Sequence, residues 1–93
     1  MKSSEKAVIT VIGKDMVGIL AKVTEICAKS GVNVLEVTQS ILQDMFAMVM
    51  LVDMGGASVD VAALSSEMDR LGDKMGLKIH VMHEDIFHSM HRV

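Results

Sequence analysis

One junction decides the fold of this chain: residues 6–20 read KAVITVIGKDMVGIL. The first eight of these residues are mostly apolar and β-branched and end in a glycine, a pattern typical of a buried strand that closes in a turn. Apolar residues then recur at helical spacing over residues 16–30, and Asp15 is of a type that caps helix N-termini. The junction therefore predicts a strand at residues 6–13 followed by a helix at residues 16–30.

Two β-rich runs follow this helix. Gly31 is expected to end the helix, because glycine is the usual residue just past a helix C-terminus. Residues 32–42 and 45–54 then read as strands, and Gln43 and Asp44 between them can turn the chain. The middle of the sequence thus predicts two adjacent strands.

A second helix and a fourth strand complete the pattern. Ser58 is placed to cap the helix. The apolar residues that follow are spaced three and four apart: Val61, Leu64, Met68, Leu71 and Met75. Gly76 is expected to end this helix, residues 77–83 form the fourth strand, and residues 84–93 carry apolar residues at the spacing of a short helix.

The resulting order, βαββαβ plus a tail, predicts an α+β fold. Four strands with two helices favour a ferredoxin-like sandwich, in which both helices cover one face of a four-stranded antiparallel sheet. We expect a single domain over residues 1–93, with a core of about residues 6–84 and a C-terminal tail at residues 85–93.

Composition narrows the class of protein. The net charge is −3, no basic block is present and only two residues are aromatic, which argues against nucleic-acid binding. No apolar run reaches the roughly 18 residues of a membrane span, and the N-terminal MKSSEK lacks the apolar stretch of a secretory signal. Cys27 is the only cysteine, which excludes an internal disulfide. We expect a cytoplasmic protein.

The loop between the first strand and the first helix does not resemble a catalytic phosphate site. Ile19 and Leu20 stand where a P-loop needs Lys and Ser or Thr. Acylphosphatase chemistry would need an arginine in this loop, but the two arginines are Arg70 and Arg92. We therefore expect no enzymatic activity and no cofactor.

The same loop has the features of a small-molecule site. Gly18 lacks a Cβ, so a ligand or a neighbouring chain can approach the backbone closely. Unpaired amides at the helix start can donate to a carboxylate, and Asn33 offers both a donor and an acceptor. An α-amino acid matches this mixture of groups. The alternative is that the glycines only shape a tight turn.

The third strand is apolar on both sides. One side carries Phe46, Met48, Met50, Val52 and Met54. The other carries Ala47, Val49 and Leu51, although the helices can cover only one face. A monomer would expose an apolar patch, which predicts self-association through the sheet face unless the C-terminal tail folds over it. A ligand-free assembly module using this face is therefore an alternative function.

A third alternative is a metal site in the tail. Glu84, His88 and His91 could share one face of a short helix and bind zinc weakly. Solvated or packing histidines are the competing interpretation, and we favour it.

The sequence also resembles a known family, the ACT domain, over nearly its whole length. The matching motif is G-x-D-x-x-G-I-L followed by G-x-N-[IV], which this chain fills with Gly13, Asp15, Gly18, Ile19, Leu20, Gly31, Asn33 and Val34. The ending Ile86, Phe87, Met90, His91 and Arg92 resembles that of short proteins made of a single ACT domain. These proteins are similar to one half of the regulatory protein of the glycine cleavage system.

The resemblance implies a regulatory module that binds an amino acid or similar small molecule, usually at a homodimer interface, and that acts on another protein. The ligand-binding residues that it implies are Gly13, Lys14, Asp15, Met16, Val17, Gly18, Ile19 and Asn33. It implies a homodimer or higher homo-oligomer, and no catalytic residues.

Overall fold

The computed structural model describes residues 5–14 and 18–90 of the chain. Its elements are β1 (Lys6–Gly13), α1 (Ile19–Lys29), β2 (Asn33–Leu42), β3 (Met45–Asp53), α2 (Val61–Met75), β4 (Lys78–His83) and α3 (Glu84–Met90). The predicted order βαββαβ, followed by a short C-terminal helix, is confirmed.

The four strands form one antiparallel sheet in the order β2-β3-β1-β4. β1 lies inside the sheet, where Ile9 pairs with Met50 of β3 on one side and with Val81 of β4 on the other. β2 and β4 are the edges, and β2 carries a bulge between Val34 and Glu36. This is the predicted ferredoxin-like topology.

The core lies between the sheet and the two long helices. Alternate residues of β1 and β3 face the helices and are buried: Ala7, Ile9, Val11, Phe46, Met48, Met50 and Val52. The helices add Ile19, Val23, Cys27, Leu64 and Met68. Burial of each large side chain stabilises the fold by about 1.5–3 kcal/mol, and the flexible methionines fill space that branched residues would leave empty. Of the two apolar sides of the third strand, the one that carries Phe46, Met48, Met50 and Val52 faces the helices.

The start of α1 differs from the prediction. The helix begins at Ile19, three residues later than expected, and Gly18 occupies the N-cap position that we assigned to Asp15. Asp15 itself lies outside the described residues. Leu20, one of the apolar residues of this predicted helix, is 39% exposed. The C-terminus agrees with the prediction, since Gly31 adopts a left-handed conformation with φ of 71°.

Ser58 does not cap α2, and that prediction was wrong. The N-cap residue is Asp60, whose Oδ1 accepts a hydrogen bond from the Ala63 amide at 2.8 Å. Ser58 instead donates its amide and its hydroxyl to the Ser30 carbonyl, at 2.8 and 3.3 Å. The chain therefore needs two further residues to turn from this contact into the helix.

α3 lies against the sheet face opposite α1 and α2. It contacts β1 and β4, and Val8, which points to this face, is only 3% exposed. Val8 lines a groove beneath α3 together with Val49, Leu51 and Phe87. The expectation of an open apolar sheet face is therefore wrong in part, because the tail folds over one portion of it.

We predict that Asp60→Ala destabilises the protein by about 1 kcal/mol, because the first turn of α2 loses its cap. In a domain of this size that corresponds to a fall of roughly 4–8 °C in the melting temperature, measured by circular dichroism. Asp69→Ala is the matched control, since Asp69 is exposed on the same helix. Ser58→Ala, which removes one long hydrogen bond, should cost less than Asp60→Ala; the reverse order would contradict the cap assignment.

Candidate functional site

Gly13, the first glycine of the predicted loop, has a packing role. It is buried at the end of β1, and a Cβ added to it would overlap Leu77 Cδ2. Leu77 is held in place by the C-terminus of α2, where its amide donates to the Gly72 carbonyl at 2.8 Å. Packing against Leu77 therefore explains why position 13 is a glycine.

Gly18 has a different role. Its φ is 76° and its ψ −1°, a left-handed conformation that residues with a Cβ adopt only under strain. Among the described residues, a Cβ at this position would meet nothing within 4 Å. A glycine also has no side chain to accept hydrogen bonds at the N-cap position. The first-turn amides of α1 consequently receive no acceptor from their N-cap residue and can donate to a ligand.

The remaining predicted residues are not all brought together. The Ile19 side chain is fully buried, so only its backbone could reach a ligand. Asn33 pairs with Asp53, which in turn pairs with Lys6 at the start of β1. The loop follows Gly13 at the other end of β1, seven residues away, or about 23 Å at ~3.3 Å per residue. Within one chain, Asn33 and the loop therefore lie at opposite ends of the sheet.

Asp15, Met16 and Val17 lie outside the described residues. Of the predicted loop, the structure describes the two end residues, Lys14 and Gly18. Both are exposed.

Lys14 lines a groove of about 350 Å³ at the end of β1, which we call the loop groove. Its side-chain lining combines two lysines with apolar residues: Ile12, Lys14, Met45, Met75, Leu77 and Lys78. Among the residues that the structure describes, none that lines it is acidic. This volume is at the lower end of the range for small-molecule sites. Two ammonium groups beside apolar walls favour an anionic ligand with an apolar portion.

Our reasoning from sequence missed Lys78, Met45 and Met75. Lys78 reaches the groove because it pairs with Ile12 across β1 and β4. Their sequence separation is large, and only the register of the two strands makes them neighbours. The sequence did offer one signal for this site: Lys78 comes two residues after Gly76, the glycine that ends α2.

Two other groups with possible chemistry are the Cys27 thiol and the side chains of the predicted metal site. Cys27 is buried in the core, and burial raises the pKa of its thiol to about 11, so the reactive thiolate is scarce at neutral pH. His88 Nε2 lies 3.6 Å from Glu84 Oε2, one helical turn apart, as the metal hypothesis requires. In the part of the chain that the structure describes, no three His, Cys, Asp or Glu residues are grouped to hold a metal ion. His91 lies outside that part.

The fold and the loop groove together define a small α+β module with a ligand-sized site at the end of a central strand. Residues 5–82 match the ACT domain family model, and the chain belongs to this family. ACT domains are typically regulatory modules that bind small molecules. Within residues 5–14 and 18–90, no helix has the length and apolar content needed to cross a membrane.

Individual relatives and solved structures are similar to this chain in sequence and in fold. A UPF0237 protein of Methanocaldococcus jannaschii is 42% identical over 88 residues, which are 95% of this chain and 98% of the relative. The structure of an ACT domain protein from Streptococcus pneumoniae matches with a TM-score of 0.79 at 33% identity, covering 91% of this chain and 96% of that one. A chain described as a glycine cleavage system transcriptional repressor matches in fold, with a TM-score of 0.74 at 21% identity. The match covers 88% of this chain and 46% of the repressor, as expected for similarity to one half of it.

We predict that Gly18→Ala destabilises the protein by about 1 kcal/mol, because alanine is strained at a φ of 76°. Gly56→Ala is the matched control. Its added Cβ also meets nothing within 4 Å, but its φ is not positive. Thermal or urea unfolding should show a loss for Gly18→Ala and little change for Gly56→Ala; equal losses would show that the conformation at Gly18 is not the reason for a glycine there.

Proposed function

We propose that this protein is a non-catalytic regulatory module that binds an amino acid in the loop groove. The observation that carries the proposal is the pair Lys14 and Lys78 in an otherwise apolar groove. This groove lies beside a loop that leads into a helix whose N-cap residue has no side chain.

Each part of an amino acid has a counterpart at this site. The two ammonium groups attract the carboxylate, and the first-turn amides of α1 can donate to it. Met45 and Met75 offer a flexible apolar wall for the ligand's side chain. Asp15 of the loop is the candidate partner for the ligand's ammonium group.

Asn33 can join this site only from a second copy of the chain. β2 is an edge strand, and antiparallel pairing of two β2 strands would place Asn33 of one copy near the end of the sheet where the other copy's loop lies. A ligand that contacts both Asn33 and the loop would therefore lie between two subunits. This is the arrangement we propose for the homodimer.

The β2 edge has the composition of an interface. It is ten residues long, and its apolar residues Leu35, Val37 and Ile41 are exposed, Ile41 by 60%. Glu36 is its only charged residue and it contains no proline. Edge strands that stay unpaired are usually short or protected by charges and prolines. The β2 edge is thus the surface we assign to self-association, in place of the sheet face that α3 partly covers.

Occupancy of a shared site would change the strength of association, and association would change ligand affinity by the same factor. A module of this kind can signal to a target protein in the cytoplasm without chemistry of its own.

An assembly module that binds no ligand is the second candidate function. The exposed apolar residues of β2 favour it independently of the loop groove. The two functions can be told apart in the absence of ligand. Loss of the groove lysines should then leave association unchanged, whereas a charge on β2 should weaken it.

We predict that one amino acid, or a small related set, raises the melting temperature of the purified protein. A ligand at ~100 times its dissociation constant adds about 2.7 kcal/mol to the free energy of unfolding. For a domain of this size that is a rise of roughly ten degrees or more. The twenty amino acids are screened by thermal melt, with zinc and EDTA in parallel. A response to none of the amino acids contradicts the proposed ligand class, and a response to zinc alone favours the metal site.

For the amino acid that the screen finds, Lys14→Gln and Lys78→Gln should each weaken binding about fivefold, because each removes one charge that faces the carboxylate. Isothermal titration calorimetry measures the change. Lys22→Gln is the control, since Lys22 is an exposed lysine that does not line the loop groove. Equal effects of all three variants would place the ligand elsewhere.

We also predict that Val37→Lys disrupts the homodimer, because it introduces a charge in the middle of the β2 edge. Analytical ultracentrifugation over a range of concentrations measures the dissociation constant. Ile86→Lys is the matched control, because Ile86 is an apolar residue on α3 that is 52% exposed. Dissociation caused by Ile86→Lys but not by Val37→Lys would place the interface on the α3 side of the sheet.

A further inference from the structure

A second groove lies beneath α3, on the sheet face that α1 and α2 do not cover. We call it the α3 groove; it has a volume of about 190 Å³. Its apolar residues come from three elements: Val8 of β1, Val49 and Leu51 of β3, and Phe87 of α3. Ile12 of the loop groove lies on the same face of β1 as Val8, four residues away, or roughly 13 Å at ~3.3 Å per residue. The two grooves are therefore separated along the strands, and no described residue lines both.

The charges of the α3 groove are opposite in sign to those of the loop groove. Glu36 of β2 and Glu84 of α3 line it together with His88, and among the described residues no lysine or arginine does. Glu84 has His88 as a neighbour at 3.6 Å. Among residues 5–14 and 18–90, no ion pair joins Glu36 to a basic side chain. Glu36 is exposed at the side of this apolar surface, so its carboxylate can face a cation that binds there.

The size of the groove limits the ligand. A cavity of about 150 Å³ in another protein binds benzene, and one water molecule in the liquid occupies about 30 Å³. A volume of about 190 Å³ therefore suits a single ring or a short branched chain, with little room for further polar groups.

We propose that the α3 groove binds a small organic monocation, a primary amine with one compact apolar group of about the size of a phenyl ring. The apolar group lies against Val8, Val49, Leu51 and Phe87, and the ammonium faces Glu36 and Glu84. This ligand differs in charge from the carboxylate proposed for the loop groove. The two sites can therefore be tested separately, and failure of one leaves the other standing.

Occupancy of the groove should also affect α3. The helix has seven residues, and none of them is fully buried. Helices of this length are only marginally stable without tertiary contacts. A ligand held between α3 and the sheet adds such contacts, so binding should slow amide hydrogen exchange in α3.

Benzylamine is the probe that tests the proposal, titrated into the protein with methyl-labelled Val, Leu and Met and followed by NMR. We expect the methyl signals of Val8, Val49 and Leu51 to shift, while those of Met45 and Met75 in the loop groove stay in place. Benzyl alcohol has a similar shape without the charge and should bind at least about fivefold more weakly. Equal affinity for the two probes, shifts confined to Met45 and Met75, or no saturable shift would overturn the proposal.

Two variants test the assigned residues. Glu36→Gln should weaken benzylamine binding about fivefold and leave benzyl alcohol unaffected, whereas Glu25→Gln, an exposed position on α1, should change neither. Val49→Phe should fill the groove and abolish binding of both probes. Val61→Phe is its control, since Val61 is a half-buried valine of α2, on the other side of the sheet from the α3 groove. If Glu36→Gln binds benzylamine as tightly as the parent protein does, the proposal is wrong.

Discussion

β1 is hydrogen-bonded on both sides, to β3 and to β4, and its inward residues Ile9 and Val11 are fully buried beneath the helices. Shifting β1 by one residue would move these side chains to the outer face, so its register with both neighbours is strongly fixed. The end of β1 is fixed by the same pairing. At that end Gly13 lies against Leu77, so the C-terminus of α2 is tied to the strand that leads into the loop. The position of the loop groove is thus a consequence of core packing.

Glycines that look alike in the sequence are required for different physical reasons. Gly13 leaves space for the Leu77 side chain, and Gly72 leaves space for the Leu77 carbonyl, which a Cβ would approach to 2.7 Å. Gly18 has open space around it and is needed for its backbone conformation. Packing therefore accounts for Gly13 without any ligand. Gly18 remains the glycine whose surroundings can accommodate one.

The order of elements could be predicted because it depends on local patterns. Apolar periodicity located every strand and both long helices to within a few residues, and Gly31 and Gly76 marked where those helices end. Helix starts were less predictable, because Ser58 and Asp60 are both good caps and the choice depends on a contact between Ser58 and Ser30. That contact joins two loops that are distant in sequence.

The candidate site was less predictable than the fold, since its parts meet only through strand register. Lys78 is placed beside Lys14 by the pairing of β4 with β1, and no local pattern reports that pairing. For Asn33 the error was the reverse. It was assigned to the site from the sequence, but the structure places it at the other end of the sheet from the loop. The sequence could not show that α3 covers Val8, because an apolar residue in a strand gives the same sequence pattern with or without a covering tail.

The separation of Asn33 from the loop has a consequence for how such a module can work. If one ligand contacts both, each of the two equivalent sites in a dimer takes residues from both subunits, and neither site is complete in a monomer. Ligand affinity then depends on protein concentration, and ligand binding stabilises the dimer by the same coupling free energy. Under the proposed arrangement, a chain with one small core would convert the concentration of a metabolite into a change of assembly. In that proposed arrangement, the length of the sheet, about 23 Å along β1, is the reason that a second copy is needed.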